Sequence, residues 1–215
     1  HRQSHLKWRN CMSMKFYTRE DLKKHTSWRW GEEKFGDLVG VVNSWEALKK
    51  SKATYVLLGI PEDVGVRANQ GRPGTVNAWK SCLSALCNIQ NNNYTNPSNT
   101  VILGEIVCTS QQESAMSLDR EDPFYPTKMG SLVKEIDEKV SSVITQIILA
   151  NKIPVIIGGG HNNSFGNIKG TATALGAPIH CINLDAHTDF RPLEHRHSGN
   201  GFSFAMEEGY LDKYY

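Results

Sequence analysis

The sequence lacks the usual features of membrane, secreted and nucleic-acid-binding proteins. No apolar run in its 215 residues reaches the ~18 residues of a transmembrane helix, and no signal-peptide pattern opens it. Its five cysteines include no Cys-x-x-Cys pair, which argues against a disulfide framework or a zinc knuckle. A net charge of +2 is far from the bias of a dedicated nucleic-acid binder. We therefore expect a cytoplasmic protein with reduced thiols, no membrane association and no nucleic-acid partner.

The charge is unevenly distributed. Residues 1–30 contain eight Lys or Arg and two acidic residues, and Trp8, Trp28 and Trp30 lie among them. Basic surfaces with stacking aromatic side chains can bind single-stranded nucleic acids. We favour the alternative that these tryptophans pack on the domain or on a neighbouring subunit. We expect residues 1–50 to form an irregular basic segment packed on the domain, with a short helix over 44–50 whose N-cap is Ser44.

From residue 53 onwards, apolar runs typical of buried strands alternate with helical patterns. The longest predicted helix repeats apolar side chains at helical spacing, at Leu132, Ile136, Val140, Val143, Ile144 and Ile147. The pattern predicts strands over 54–60, 100–107, 153–157 and 179–184, and further helices over 76–89 and 164–175. This alternation is typical of a mostly parallel sheet with helices on both faces. We expect one α/β domain over residues 1–215.

Two polar clusters directly follow two of the predicted strands. Gly158, Gly159, Gly160 and His161 follow one strand, and the segment 185–189 follows another. Ligands of open parallel sheets bind outside the carboxyl ends of the strands, so we expect the two clusters to meet there. Glycines let the backbone approach such a site closely. A phosphate-binding loop is disfavoured, because neither Gly-Lys-Ser/Thr nor the Gly-x-Gly-x-x-Gly spacing is present.

The second cluster supplies candidate metal ligands. Asp185, His187 and Asp189 alternate along the chain, so an extended backbone would send His187 to the opposite side from the two carboxylates; a tight turn could let all three converge. Together with His161 they form a set of two histidines and two carboxylates that suits Mn²⁺, Zn²⁺ or Fe²⁺. Two such ions ~3.5–4 Å apart can lower the pKa of a bridging water and direct it at an electrophilic carbon. Each residue alone could instead serve only to cap a helix; the combined pattern favours a metal site.

The two clusters, together with Ser198-Gly199-Asn200, resemble the ureohydrolase superfamily of arginase, agmatinase and formimidoylglutamase, which are binuclear manganese enzymes. The resemblance extends from about Tyr55 to the C-terminus and includes the loop 59–74, which is similar to the family's first-strand loop at the cleft. Gly160, where arginases and agmatinases usually have Asp, and the Asp-Phe-Arg-Pro run at 189–192 look most like formimidoylglutamase. The resemblance implies a three-layer arginase-like α/β fold and a homo-oligomer.

The resemblance also implies roles for individual residues. His161 and Asp189 would bind one Mn²⁺, His187 would bind the other, and Asp185 would bridge both, so that Asp185 and His187 are the catalytic candidates. Ser198 and Asn200 match positions that contact the amino-acid end of the substrate in arginases. Arg191 could pair with a substrate carboxylate, or could form only a surface ion pair. The implied reaction hydrolyses the C=N bond of a small linear amidine or guanidine, and N-formimino-L-glutamate is the favoured substrate.

Two departures from the superfamily pattern bear on this hypothesis. Phe202 stands where arginases have a proton-shuttling histidine, which argues against an arginase; His195 and His197 could transfer protons or be solvated loop residues. The family's later Asp-x-Asp-x-x-Asp-Pro segment and a still later Glu do not occur before Tyr215. We therefore expect the N-terminal part of a longer protein, with about half of the metal ligands. An agmatinase- or arginase-type enzyme and a non-catalytic form or fragment with an incomplete site remain as alternatives.

Overall fold

The computed structural model describes residues 13–215, which form seven strands, nine α-helices and one 3-10 helix. The strands are β1 (Met14–Phe16), β2 (Gly40–Val41), β3 (Tyr55–Gly59), β4 (Thr100–Ile106), β5 (Ile153–Ile157), β6 (Ile179–Cys181) and β7 (Leu211–Tyr214). The α-helices are α1 (Arg19–Lys23), α2 (Phe35–Leu38), α3 (Trp45–Lys50), α4 (Val64–Ala68), α5 (Ala78–Cys87), α6 (Thr109–Ser117), α7 (Tyr125–Leu149), α8 (Asn163–Leu175) and α9 (Gly201–Glu207). The 3-10 helix covers Thr75–Asn77, directly before α5.

The main sheet has five strands and is mostly parallel. β3 pairs in parallel with β4 on one side and with β5 on the other. β4 also pairs in parallel with β2 and antiparallel with β1. The parallel core confirms the predicted sheet, and its strands are the three apolar runs over 54–60, 100–107 and 153–157.

Helices cover both faces of this sheet, as predicted. Alternate side chains of β3 and β4, such as Val56 and Leu103, pack on one face with α7. Side chains of opposite orientation, such as Ile102, pack on the other face with Trp79 and Leu83 of α5. A strand that buries both faces needs apolar residues at every position, which is why these strands are continuous apolar runs rather than alternating ones.

The long amphipathic helix is confirmed as α7, which has 25 residues. Of the six apolar positions in its repeat, five are buried and Leu132 is half-buried against the same core. Pro126 lies at its N-terminal end, where the missing N–H costs no intrahelical hydrogen bond. None of the helices within residues 13–215 is both long enough and apolar enough to cross a bilayer.

The segment before residue 50 is more regular than expected. Ser44 caps α3 as predicted, since its hydroxyl accepts a hydrogen bond from the Ala47 N–H at 3.1 Å. β1 and β2 join the main sheet, where each pairs with β4. These strands were not predicted, because runs of two or three residues are too short to show a strand pattern. Trp28 and Trp30 are 80% and 88% exposed, so these two do not pack on the domain. Trp8 lies outside the described residues.

The predicted fourth strand over 179–184 is shorter than expected and does not join the main sheet. β6 ends at Cys181 and pairs in parallel with β7 in a separate two-stranded sheet. Leu211 of β7 packs with Phe165 of α8 and Phe202 of α9 in a third apolar cluster, which holds this small sheet. The apolar run predicted a strand correctly. It could not predict which strand pairs with it, because backbone hydrogen bonds do not depend on the identity of the side chains. The two site clusters therefore follow strands of different sheets.

Candidate metal centre

The glycine turn after β5 brings His161 to the end of the main sheet. Gly158 and Gly159 have φ angles of 83° and 75°, in the left-handed region that favours glycine. A Cβ atom on Gly159 would lie 2.3 Å from Asn163 Nδ2, so the packing also excludes any larger side chain. The sequence predicted that glycine lets the backbone approach the site closely. In the structure, the groups that approach the Gly159 backbone closely include side chains of the protein itself. His161 follows at the edge of a cavity.

The loop after β6 contains the tight turn that the alternation of Asp185, His187 and Asp189 requires. The Asp185 carboxylate accepts a hydrogen bond from the His187 N–H at 2.8 Å, and Asp189 has a φ of 47°, in the left-handed region. The turn directs both carboxylates towards His161. The same backbone hydrogen bond lowers the pKa of Asp185, with further contributions from the nearby His161 and His187. Asp185 is therefore available as an anionic ligand.

Three predicted ligands meet across the two loops. Ligand atoms of His161, Asp185 and Asp189 all lie within 4.8 Å of one another. His161 Nδ1 contacts Asp189 Oδ2 and lies 3.6 Å from Asp185 Oδ2. One imidazole nitrogen and two carboxylates form a donor set that suits Mn²⁺ and related divalent ions.

His187 lies beside this group of three rather than within it. Its Nδ1 is 3.5 Å from Asp185 Oδ1, and its side chain is 83% exposed. It lines the same cavity as the three ligands. Its assignment to a second metal stays a prediction.

The cavity in front of the three ligands also contains predicted substrate-binding residues. Its volume is about 570 Å³, and its lining includes Arg191, Ser198 and Asn69. Arg191 Nη1 donates a hydrogen bond to Asn69 Oδ1 at 2.6 Å, while Asn69 Nδ2 donates one to Ser198 Oγ at 3.2 Å. Asn69 thus joins the two predicted residues. The sequence interpretation did not single out Asn69, although it placed the loop 59–74 at the cleft.

Asn200 lies outside the lining of that cavity. It is completely buried, and its Oδ1 accepts hydrogen bonds from Arg196 Nη1 at 2.5 Å and from the His197 N–H at 3.1 Å. Its Nδ2 donates to the His195 carbonyl oxygen at 3.0 Å. The side chain therefore holds the loop 195–200 together, and its contact with a substrate stays a prediction.

The loop histidines are engaged by the protein. His197 is buried; its Nδ1 accepts a hydrogen bond from the Gly199 N–H at 3.0 Å, and its Nε2 lies 2.9 Å from a Glu194 carboxylate oxygen. Burial lowers the pKa of His197, against the opposing effect of Glu194. His195 Nε2 lies 3.1 Å from the Ala68 carbonyl oxygen. Both histidines thus anchor the loop, and the expectation that they are solvated is wrong for His197.

Phe202, at the position where the resemblance places a proton-shuttling histidine in arginases, packs directly behind the candidate metal ligands. Its ring meets the His161 imidazole edge-on, with 5.4 Å between the ring centroids. Phe202 is only 2% exposed. It restricts the orientation of His161 and carries no titratable group.

A buried ion pair joins the site loop to α7, and sequence reasoning missed it. Arg196 forms a bidentate pair with Asp137, with distances of 2.9 and 3.2 Å, and both side chains are almost fully buried. The Arg196 guanidinium also lies 5.1 Å from the ring centroids of Phe165 and Phe204. Asp137 falls between the apolar positions of an amphipathic helix, so its sequence context indicated a surface charge. Only its partner in a distant loop explains its burial.

The fold and the site together define an α/β protein in which a histidine and two carboxylates that could hold a metal ion meet in the loops after β5 and β6. The family model described as the Arginase family matches residues 53–215. This chain belongs to the Arginase family. The predicted resemblance and the predicted arginase-like fold are thereby confirmed.

Formimidoylglutamases are among the relatives and solved structures to which the chain is similar. The chain is 30% identical over 164 residues to a formimidoylglutamase of Geobacillus sp. strain WCH70. The matched region covers 74% of this chain and 43% of the relative. A solved formimidoylglutamase of Bacillus subtilis matches with a TM-score of 0.60 and 17% identity over 86% of this chain and 52% of that chain. A Trypanosoma cruzi formiminoglutamase solved with Mn²⁺ matches with a TM-score of 0.57 and 23% identity. The match covers 84% of this chain and 54% of that chain. The chain thus spans about half the length of these relatives.

Proposed function

We propose that this chain carries part of a binuclear manganese site that hydrolyses the C=N bond of a linear amidine. The favoured reaction converts N-formimino-L-glutamate to L-glutamate and formamide. The observation that carries the proposal is the convergence of His161, Asp185 and Asp189 within 4.8 Å, in a cavity that Arg191 also lines. Relatives named formimidoylglutamase support the choice of substrate.

The resemblance to the family implies what each side chain would do. His161 and Asp189 would hold one Mn²⁺, His187 would hold the other, and Asp185 would be a ligand of both. Bound ions of this kind supply Lewis acidity and make a water molecule acidic enough to act as a nucleophile near neutral pH. Phe202 would exclude water from the inner side of His161, since its ring is packed there.

Arg191 would orient the substrate through its carboxylate. The guanidinium is held from two sides, by the hydrogen bond to Asn69 and by Glu194, whose carboxylate lies 3.4 Å from Arg191 Nη2. The planar guanidinium recognises carboxylates in a bidentate geometry, so a fixed Arg191 would select an acidic amidine such as a formimino-glutamate. The same positive charge disfavours the cationic substrates of arginase and agmatinase.

Self-assembly into a homo-oligomer stays a prediction.

A non-catalytic form with an incomplete site is the second candidate. One observation favours it: only three potential ligand residues cluster within residues 13–215, and two ions need more donors than these provide. Metal stoichiometry separates the two candidates.

Metal binding is tested first, by mass spectrometry of the complete protein after Mn²⁺ reconstitution and desalting. We expect two tightly held ions in the wild type and none in Asp185→Ala, because Asp185 would bridge both ions. Asp212→Ala is the matched control, since Asp212 also contacts a histidine, His180, at 3.0 Å but away from the site. One weakly held ion or none in the wild type would favour the non-catalytic candidate. Two ions in Asp185→Ala would remove the proposed role of Asp185.

Substrate selection is tested with Arg191→Lys in steady-state kinetics. We expect KM for N-formimino-L-glutamate to rise at least about tenfold, because a lysine cannot form the bidentate pair. Arg29→Lys is the control: Arg29 and Glu32 form a similar pair three residues apart, at 3.6 Å, on the surface. Comparable turnover of agmatine or arginine by the wild type would contradict the assigned substrate.

A further inference from the structure

A buried carboxylate lies behind the metal centre and has no role in the proposed reaction. Glu62, in the loop between β3 and α4, is completely buried. One of its oxygens, Oε2, accepts hydrogen bonds from the Val64 and Gly65 N–H groups at 2.7 and 3.3 Å. These N–H groups begin α4 and have no partner within that helix. Glu62 therefore completes the N-terminus of α4.

The other oxygen of Glu62 faces the turn that carries His161. Oε1 accepts hydrogen bonds from the Gly160 N–H at 2.7 Å, from Asn163 Nδ2 at 2.7 Å and from Asn162 Nδ2 at 3.3 Å. Five N–H groups thus surround one carboxylate. Burying a carboxylate is costly unless it is hydrogen-bonded, so this arrangement indicates a built position rather than an incidental one.

The turn over 158–160 needs an external restraint. Three consecutive glycines have access to more backbone conformations than any other tripeptide, and His161 follows them directly. The hydrogen bond from the Gly160 N–H to Glu62 restrains the backbone of the residue directly before His161. Asn163 reinforces it, because its Nδ2 also donates to the Gly160 carbonyl oxygen at 2.9 Å.

We propose that Glu62 is a positioning residue for metal binding. It holds the glycine turn in the conformation that directs the His161 imidazole towards Asp185 and Asp189. This inference rests on the metal site of the proposed function. Groups that orient metal ligands from outside the coordination sphere typically contribute 10- to 100-fold to metal affinity.

The chain contains a matched control for Glu62 in the next residue. Asp63 is 1% exposed, and its carboxylate accepts hydrogen bonds from Arg67 Nε at 2.5 Å, Gln112 Nε2 at 2.6 Å and the Gly74 N–H at 2.9 Å. No hydrogen bond of the Asp63 side chain within the described part of the chain reaches residues 158–161. Loss of either carboxylate destabilises the same loop, but only the loss of Glu62 releases the turn.

The test measures Mn²⁺ affinity of the complete protein by titration, with free Mn²⁺ followed by electron paramagnetic resonance. Glutamine at position 62 has one acceptor oxygen and one NH₂ group. The NH₂ group would face N–H donors on one side, and the hydrogen bonds on that side would be lost. We expect Glu62→Gln to weaken Mn²⁺ binding about tenfold, and Asp63→Asn to leave the affinity unchanged while lowering the thermal midpoint. Equal affinities of Glu62→Gln and wild type would overturn the positioning role and leave the metal site standing. A wild type without Mn²⁺ binding would overturn both.

A second pair of variants covers the case in which Glu62→Gln fails to fold, as judged by near-ultraviolet circular dichroism. Asn163 and Asn167 lie one turn apart on α8, and the Oδ1 atom of each is buried without a hydrogen-bond partner. Of these two asparagines, Asn163 donates hydrogen bonds to Glu62 and to the glycine turn, and Asn167 does not. We expect Asn163→Ala to weaken Mn²⁺ binding and Asn167→Ala to leave it unchanged. Equal affinities of these two variants would overturn the proposal.

Discussion

The two sides of the candidate metal centre are built differently. Behind His161, on the β5 side, Glu62, Asn162 and Asn163 are buried, and the two asparagine amides donate hydrogen bonds to the Glu62 carboxylate. On the β6 side, the side chains of Asp185 and His187 are 32% and 83% exposed, and they are held mainly by contacts within their own loop. Segments with few buried contacts open at lower free-energy cost than the core. We therefore expect the backbone of the β5 side to be preformed, and a bound metal ion to contribute more to the order of the β6 side.

The comparison predicts that substitutions behind the site cost stability and that substitutions in the exposed loop do not. The largest effect is expected for Arg196→Met: Arg196 donates a hydrogen bond to the Asn162 carbonyl oxygen on the β5 side at 3.1 Å, and its loss leaves Asp137 buried without its partner. Burial already raises the pKa of Asp137, and Arg196 opposes that rise. Breaking such a pair costs about 3–5 kcal/mol, whereas Asp185→Asn should change the free energy of unfolding by no more than ~0.5 kcal/mol.

Urea denaturation measures both values. The double variant Arg196→Met with Asp137→Leu should recover most of the loss, because it removes both buried charges. Equal stabilities of Arg196→Met and Asp185→Asn would break the distinction between the two sides.

A smaller effect is expected for Gly159→Ala, compared with Gly176→Ala. Both glycines have a left-handed backbone, with φ of 75° and 70°, so alanine is strained at each. A Cβ on Gly159 meets Asn163 Nδ2 at 2.3 Å, whereas nothing lies within 4 Å of a Cβ on Gly176. The overpacking should cost Gly159→Ala a further ~1–3 kcal/mol. Equal thermal midpoints of the two variants would show that the turn behind His161 is not tightly packed.

The smallest effect is expected from the titration of His197, which is buried in the loop 195–200. Burial lowers its pKa below the ordinary value of 6.5, so the unfolded chain takes up this proton at higher pH than the folded one. Stability should therefore fall as pH drops below 6.5, until the folded-state pKa is reached. His197→Gln should flatten this part of the profile of unfolding free energy against pH. Parallel profiles of variant and wild type would show that His197 does not contribute.

Local patterns predicted most of the elements that position the site. The apolar runs ending at residues 60, 107 and 157 became β3, β4 and β5, and the helical repeat became α7. The convergence of His161, Asp185 and Asp189 was predicted, but the reason given for it, strand ends at one edge of a single sheet, is wrong, because β6 belongs to a separate sheet. The sequence did not reveal the partner of β6, the burial of Asp137 or the loop-internal use of Asn200. Each of these depends on a contact with a residue far away in the chain or on a local turn that many sequences allow.

By itself, the sequence determined the α/β class, the glycine turn before His161 and the histidine–carboxylate composition of the site, because hydrophobic periodicity and side-chain chemistry are local properties. Only the tertiary structure decided that Asn69 would hold Arg191, that Arg196 would tie the site loop to α7 and that Glu62 would lie against the turn of His161. Hydrogen bonds between buried polar groups depend on distances across the fold, and residue spacing along the chain does not encode those distances.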